Sequence, residues 1–269
     1  MQRDSAQYTL LMAAALCAVC SVFVAGSAVM LRPIQEANSE LDRQKNVLLA
    51  AHLVSAKDAT AAKIKETFEG QVERELIDLT TGKATTPEQA GVGDDFDPAA
   101  AANDSKLGET ISAADDVAGI KRRAKYAWVY KVKNDAGQLQ QIVLPIYGKG
   151  LWSTVYGFLA VKSDGTTVSG ITFYKHGETP GLGGEVENPK WQALWVDKTI
   201  YVGDDVKLAV AKGAAATTGD AAKHEVDGLS GATITSRGVS NMIQYWLGPQ
   251  GFGPYLQSLA GGSGSNSDG

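Results

Sequence analysis

The chain has 269 residues, 44% of them hydrophobic, with 25 basic and 30 acidic side chains and a formal net charge of −5. That composition excludes a wholly disordered chain, which is poor in apolar groups. It also excludes the basic surplus of a nucleic-acid binder, since the densest cluster, Lys121, Arg122, Arg123 and Lys125, flanks the start of a strand.

Thr9 to Leu31 is an uncharged run of 23 residues. As a helix it spans roughly 34 Å, enough for a bilayer core of about 30 Å. Ala25-Gly26-Ser27-Ala28 offers the small residues of a cleavage site, but the apolar run continues to Leu31, so an uncleaved anchor is expected. Cys17 and Cys20 lie within this run and would share one helix face as small packing residues. Beyond them the chain has no cysteine, which excludes a disulfide framework or a cysteine-ligated metal in the body. Arg32, Arg43 and Lys45 follow the span and Arg3 precedes it; this thin asymmetry alone would leave the C-terminal side cytoplasmic.

Arg32-Pro33 marks the membrane exit, and a helix is expected from Glu36 to about Val54 within a juxtamembrane segment 32–56. A second helix covers 57–72, with Ala61, Ile64, Phe68 and Val72 at helical spacing. The Gly-, Asp-, Ala- and Pro-rich stretch 82–111 reads as a long loop or small insertion. Tyr126–Val132 alternates as a half-buried strand, and across Asp135-Ala136-Gly137 it meets a hairpin partner, Leu139–Leu144. Further strands are expected at Val155–Val161, Val168–Tyr174 and Lys207–Val210, with a helical turn or two at Trp191–Trp195. A helix over Ser236–Leu247 presents Val239, Met242, Ile243, Trp246 and Leu247 on one face and stops at Gly248-Pro249. The tail 261–269 reads as disordered. The fold class is α+β, a single N-terminal transmembrane helix followed by a mainly antiparallel sheet.

Three constellations carry candidate chemistry. Asp227-Gly-Leu-Ser-Gly-Ala-Thr-Ile-Thr-Ser236 precedes the amphipathic helix. Exposed amides at a helix start, with the hydroxyls of Ser230, Thr233, Thr235 and Ser236, suit a phosphate. The same residues also read as a glycine turn and an N-cap at Thr235 or Ser236. His176-Gly-Glu-Thr-Pro-Gly-Leu-Gly-Gly-Glu185 follows a strand, and its glycines let backbone approach a flat ligand beside Thr179 and Leu182. The strand–GxGxxG–helix context is missing, which excludes a Rossmann site. His176, Glu178 and Glu185 are metal-ligating types, but the chain has only 3 histidines, and no metal is expected. Tyr147-Gly-Lys-Gly-Leu-Trp152 reads either as a glycine turn with a core tryptophan or as an apolar wall against a flat cofactor. No nucleophile comes with a His/Asp partner in order, so hydrolysis and a catalytic acid or base are not expected.

Taken in order, these segments resemble the FMN-binding domain family. DGLSGAT, residues 227–233, resembles its flavin-attachment motif, whose last threonine, here Thr233, carries FMN through a phosphoester. HGETPGLGGE resembles its loop at the isoalloxazine ring, and PIYGKGLW, 145–152, another of its signatures. The resemblance implies FMN contacts from Ser230, Gly231, Ala232, Thr235, Ser236, Thr179, Gly181, Leu182, Gly183, Gly150, Leu151 and Trp152, and a part for Asp227 in recognition by a periplasmic flavin transferase. Two subfamilies share the domain. LDRQKNVL (41–48), WQALW (191–195) and GPQGFGPYL (248–256) look like the C subunit of sodium-translocating NADH:quinone reductases, the alternative being the G subunit of the Rnf complex. A membrane-anchored, non-enzymatic binding domain is the other alternative. The resemblance to the reductase implies a cytoplasmic N-terminus at 1–8, a span at 9–31 and a periplasmic flavin domain at 57–260. It also implies electron relay from an iron–sulfur centre to the flavin of the B subunit within a six-subunit inner-membrane complex, with the B, D and E subunits as neighbours.

Overall fold

The computed structural model describes residues 5–262. The start of the expected cytoplasmic N-terminus and residues 263–269 of the expected tail lie outside them. The chain divides into two units, Met1–Arg43 and Gln44–Gly269. The first consists of most of α1, a helix over Ala6–Ala50 that runs through Pro33. Its apolar stretch is long enough to cross a membrane and is exposed, and Cys17 and Cys20 lie on it as free thiols.

The second unit opens with the last turns of α1 and with α2, Ala61–Gln71, capped by the Thr60 hydroxyl. Val72, expected to end that helix, is instead the first residue of strand β1, Val72–Asp78. The expected loop 82–111 holds only short elements: β2 (Lys83–Thr85), α3 (Pro87–Ala90), α4 (Pro98–Ala101) and β3 (Gly108–Thr110). Then follow β4 (Arg122–Ala124), β5 (Tyr126–Lys133), β6 (Leu139–Lys149), β7 (Thr154–Lys162) and β8 (Val168–Lys175). Short pieces come next: α5 (Pro189–Ala193), β9 (Tyr201–Val202), β10 (Asp205–Val206), β11 (Ala209–Val210) and β12 (Glu225–Val226). Helices α6 (Thr233–Leu247) and α7 (Gly253–Gly262) close the chain, α7 reaching into the expected tail.

The main sheet has six strands in the order β2-β1-β5-β6-β7-β8. All its pairings are antiparallel, as expected. Tight turns set the β5–β6 and β7–β8 hairpins: Asn134 Oδ1 accepts the Ala136 and Gln138 amides, and Asp164 Oδ1 accepts those of Thr166 and Thr167.

The half-buried reading of 126–132 does not hold, because the sheet is covered on both faces. One face carries Val129, Ile142, Leu144, Ile146, Leu159 and Val161, packed on α6 and on Phe252 and Leu256. The other carries Tyr130, Val132, Val143, Phe158 and Ala160, covered by Val47, Ala50, Ala51 and, from α2, Phe68. The predicted face of α6, Val239, Met242, Ile243, Trp246 and Leu247, is buried throughout. Each such side chain contributes about 1.5–3 kcal/mol when fully removed from water, which makes α6 a fixed part of the core. The strand expected at Lys207–Val210 is only Ala209–Val210, because the Lys207 and Leu208 amides both turn back to the Ile200 carbonyl.

Candidate functional site

Helix α6 crosses the sheet where β6 ends. Trp246 Nε1 donates to the Tyr147 carbonyl at 2.7 Å and its ring lies 4.8 Å from that of Tyr147. Gly148 faces Met242, and Gly238 of α6 rests directly on the Lys149 carbonyl, where any Cβ would collide. The first turn of α6 is thereby set beside the 150–153 turn.

That helix starts at Thr233, not Ser236, and neither Thr235 nor Ser236 caps it. The N-cap position is Ala232, with no side-chain bond to the helix amides. Ser236 Oγ accepts the Leu229 amide at 3.0 Å and so shapes the turn before the helix. The amides of an uncapped first turn are unsatisfied and carry the positive end of the helix dipole. Thr233 occupies the first position and is exposed.

Thr233 lines a cleft of about 440 Å³ together with Ser230, Gly231, Ser236 and Ser240. Lys212 and Arg237 line it too. Sequence reasoning misses both cations. Arg237 lies four residues after Thr233, hence on the same helix face, a spacing the sequence does carry. Lys212 arrives only through tertiary structure: β11 and β12 pair in parallel, and the Gly228 amide donates to the Gly213 carbonyl at 2.7 Å.

The three sequence segments converge on Glu178, which in the sequence stands out only as a metal-ligating type. Glu178 is 5% exposed. Its Oε2 accepts the Thr235 hydroxyl at 2.5 Å, and its Oε1 accepts the Trp152 amide at 2.9 Å and the Ser153 amide at 3.5 Å. Burial pushes this carboxyl up, but the Thr235 hydroxyl and the amides of residues 151–153 outweigh it and hold it below its ordinary value. Burying a carboxylate costs several kcal/mol, and each charge-assisted hydrogen bond returns about 1.5–3 kcal/mol, so several donors suffice to keep it ionised. A Cβ at Gly150 would lie 2.5 Å from Glu178 Oε1, and one at Gly183 would lie 2.6 Å from Thr235 Oγ1 and 2.7 Å from Glu178 Oε2. Both glycines are therefore spacers around the carboxylate.

Gly231 and Leu182 also meet. Gly231 has φ +70, and its Cα faces Leu182 Cδ2, 2.9 Å from where a Cβ would stand. Leu151, Trp152, Leu182 and Ile234 expose large apolar surface in these same segments. Thr179 and Gly181 are both exposed, and the Thr179 carbonyl accepts the Leu182 and Gly184 amides, closing the loop on itself. Ala232 is buried. Asp227 is exposed, with Oδ1 accepting the Ala215 amide at 2.7 Å and its carbonyl accepting Trp191 Nε1 at 2.7 Å. His176 does not join Glu178 and Glu185 as a ligand set: Nδ1 accepts the Glu178 amide and Nε2 faces Glu187 at 3.0 Å. Among the described residues no group of three His, Cys, Asp or Glu side chains is placed to hold a metal.

The site fits a flavin mononucleotide. The uncapped helix start, the hydroxyls and two cations suit its phosphate, and the exposed apolar groups beside glycine backbone suit a flat ring.

A family model for the FMN-binding domain matches residues 150–248. The chain is 50% identical over 261 residues to the C subunit of the Na(+)-translocating NADH-quinone reductase of Pasteurella multocida, covering 97% of this chain and 96% of that one. It is 46% identical over 261 residues to the protein of the same name from Pseudomonas aeruginosa, covering 97% and 98%. Its fold superposes on the crystal structure of Shewanella oneidensis NqrC with a TM-score of 0.70 and 36% identity, over 81% of this chain and 96% of that one. The chain belongs to the NqrC family, the C subunits of the Na(+)-translocating NADH-quinone reductases.

Proposed function

We propose that Thr233 carries FMN as a phosphoester of its hydroxyl. Within a flavoprotein subunit of a Na+-translocating NADH:quinone reductase, the chain then relays electrons from an iron–sulfur centre to the flavin of the B subunit. The observation that carries this reading is the position of Thr233: exposed, first in an uncapped helix, on the wall of a cleft shared with Lys212 and Arg237. Bound FMN supplies the electron exchange, and the protein holds and orients it. Thr233 provides the tether. Ser230, Gly231, Ser236 and the first-turn amides of α6 surround the phosphate, and Lys212 and Arg237 balance its charge. Leu182, Thr179, Leu151, Trp152 and the backbone of Gly181 and Gly183 face the ring. Thr235 and Gly150 act from behind, through Glu178. None of these groups serves as an acid, base or nucleophile in turnover.

In this reading residues 9–31 cross the inner membrane, 32–56 lead out of it, and the domain 57–260 lies in the periplasm. The B, D and E subunits are its neighbours. A periplasmic flavin transferase attaches the cofactor, with Asp227 part of what it recognises.

The test is the intact mass of the denatured full-length chain after co-expression with a flavin transferase. Addition of FMN less one water is expected in the natural sequence and not in Thr233→Val. An unmodified mass in both, with the transferase active on another protein, overturns the reading.

A further inference from the structure

We propose that Glu178 is a positioning residue: its carboxylate ties the 150–153 turn, the 177–184 loop and the first turn of α6 into one cradle that exists before any flavin arrives. The proposal deepens the FMN reading above and rests on it for its consequence, though not for its geometry.

Three features carry it. First, the two carboxylate oxygens are divided between two elements, Oε2 taking the Thr235 hydroxyl and Oε1 the amides of Trp152 and Ser153. The side chain is thus a three-way clamp, because it belongs to the third element itself. Second, the loop that bears it is anchored separately to the same turn, the Gly177 amide donating to Ser153 Oγ at 2.6 Å. Third, glycines stand at the two places where a side chain would displace the carboxylate or its hydroxyl partner, Gly150 and Gly183. Exposed groups that face the ring in this reading, Leu151, Trp152 and Leu182, sit on the clamped segments and have little packing of their own. Their position is set by backbone, and Glu178 sets the backbone. A ring seated on such surfaces needs them held beforehand, since ordering loops on binding costs affinity.

Glu178→Gln keeps the shape of the side chain but loses one acceptor. One of the donors now bound by the carboxylate then meets an NH2 group. Hydrogen exchange is followed on the full-length Thr233→Val chain in detergent, with and without Glu178→Gln. Because Thr233→Val removes the attachment hydroxyl, this readout is independent of flavin. Exchange at 151–153, 177–184 and 233–236 is expected to accelerate together by about tenfold, the loss of one charge-assisted bond, while the amides of β6 to β8 stay protected. Unchanged exchange in these three segments, or acceleration in only one of them, overturns the clamp. If Glu178→Gln does not fold, Thr235→Val removes the α6 donor alone. It is expected to speed exchange at 233–236 and 177–184, and unaltered exchange there overturns the proposal.

The second readout is the visible circular dichroism of the flavin in the loaded protein, which a purely stabilising residue would not move. Glu178→Gln at equal loading is expected to change its shape, and an identical spectrum overturns the positioning role. An unmodified mass in the natural sequence would reject attachment at Thr233 and leave the exchange result standing.

Discussion

Thr235 Oγ1 donates to Glu178 Oε2 at 2.5 Å across 57 residues of sequence, and both side chains are buried. This bond joins the helix that starts at the proposed attachment threonine to the glycine loop that follows β8. Removing the hydroxyl while leaving the carboxylate buried deprives a charge of one donor. Thr235→Val should cost about 1.5–3 kcal/mol in urea unfolding of the flavin-free chain. Thr235→Ser, which keeps the donor, should recover most of that.

The same carboxylate makes stability depend on pH. Glu178 lies below its ordinary value, since its hydrogen bonds outweigh burial. Asp164 does too, its burial outweighed by bonds from Thr166 and Thr167. The folded state therefore takes up these protons less readily than the unfolded chain. Their contribution is complete above the ordinary carboxylate range of about pH 4 and is lost as pH falls through it toward the folded values. The urea midpoint should fall between about pH 5 and pH 3 in the natural sequence and fall less in Glu178→Gln.

Much of this fold is legible in the sequence because its signals are local. The hairpins around Asn134 and Asp164 are written in turn chemistry, and the buried stripe of α6 in its 3.6-residue period. The start of α6 is misplaced from sequence because Thr235 and Ser236 look like caps, whereas tertiary structure commits both hydroxyls elsewhere, to Glu178 and to the Leu229 amide. Strand β1 escapes notice because its charged residues break the apolar pattern. Glu75 is paired across the sheet with Lys131 at 3.0 Å, a partner 56 positions away. Glu178 is underrated for a related reason. In the sequence it stands out only as a metal-ligating type beside His176 and Glu185, and only the convergence of three distant segments buries it.

Lys212 and Arg237 make no side-chain hydrogen bond or ion pair among the described residues, yet both line the cleft beside Thr233. Cations without a structural partner can be removed cheaply. Lys212→Gln and Arg237→Gln should each leave the unfolding of the flavin-free chain within about 0.5 kcal/mol of the natural value. Each should slow FMN attachment about two- to fivefold, the worth of one exposed charge pair with a phosphate. The rate is read from the modified fraction in intact-mass time courses, and the defect should shrink as salt is raised.

Gly238 lies against the Lys149 carbonyl on one side of α6, a little over one turn beyond Thr233. Alanine is the better helix former, so on an isolated helix the change would stabilise by about 1 kcal/mol. Here a Cβ has no room, and the obstacle is backbone. Either α6 lifts from the end of β6, drawing Thr235 away from Glu178, or the 148–150 backbone shifts, moving the 150–153 turn away from it. Packing strain of this kind costs about 1–3 kcal/mol and outweighs the helix gain. Gly238→Ala should lower the urea midpoint and also reduce flavin attachment. Gly70→Ala, in α2 with open space around its Cα, should do neither. Equal stability and loading in Gly238→Ala would show that α6 is not held against β6 by this contact.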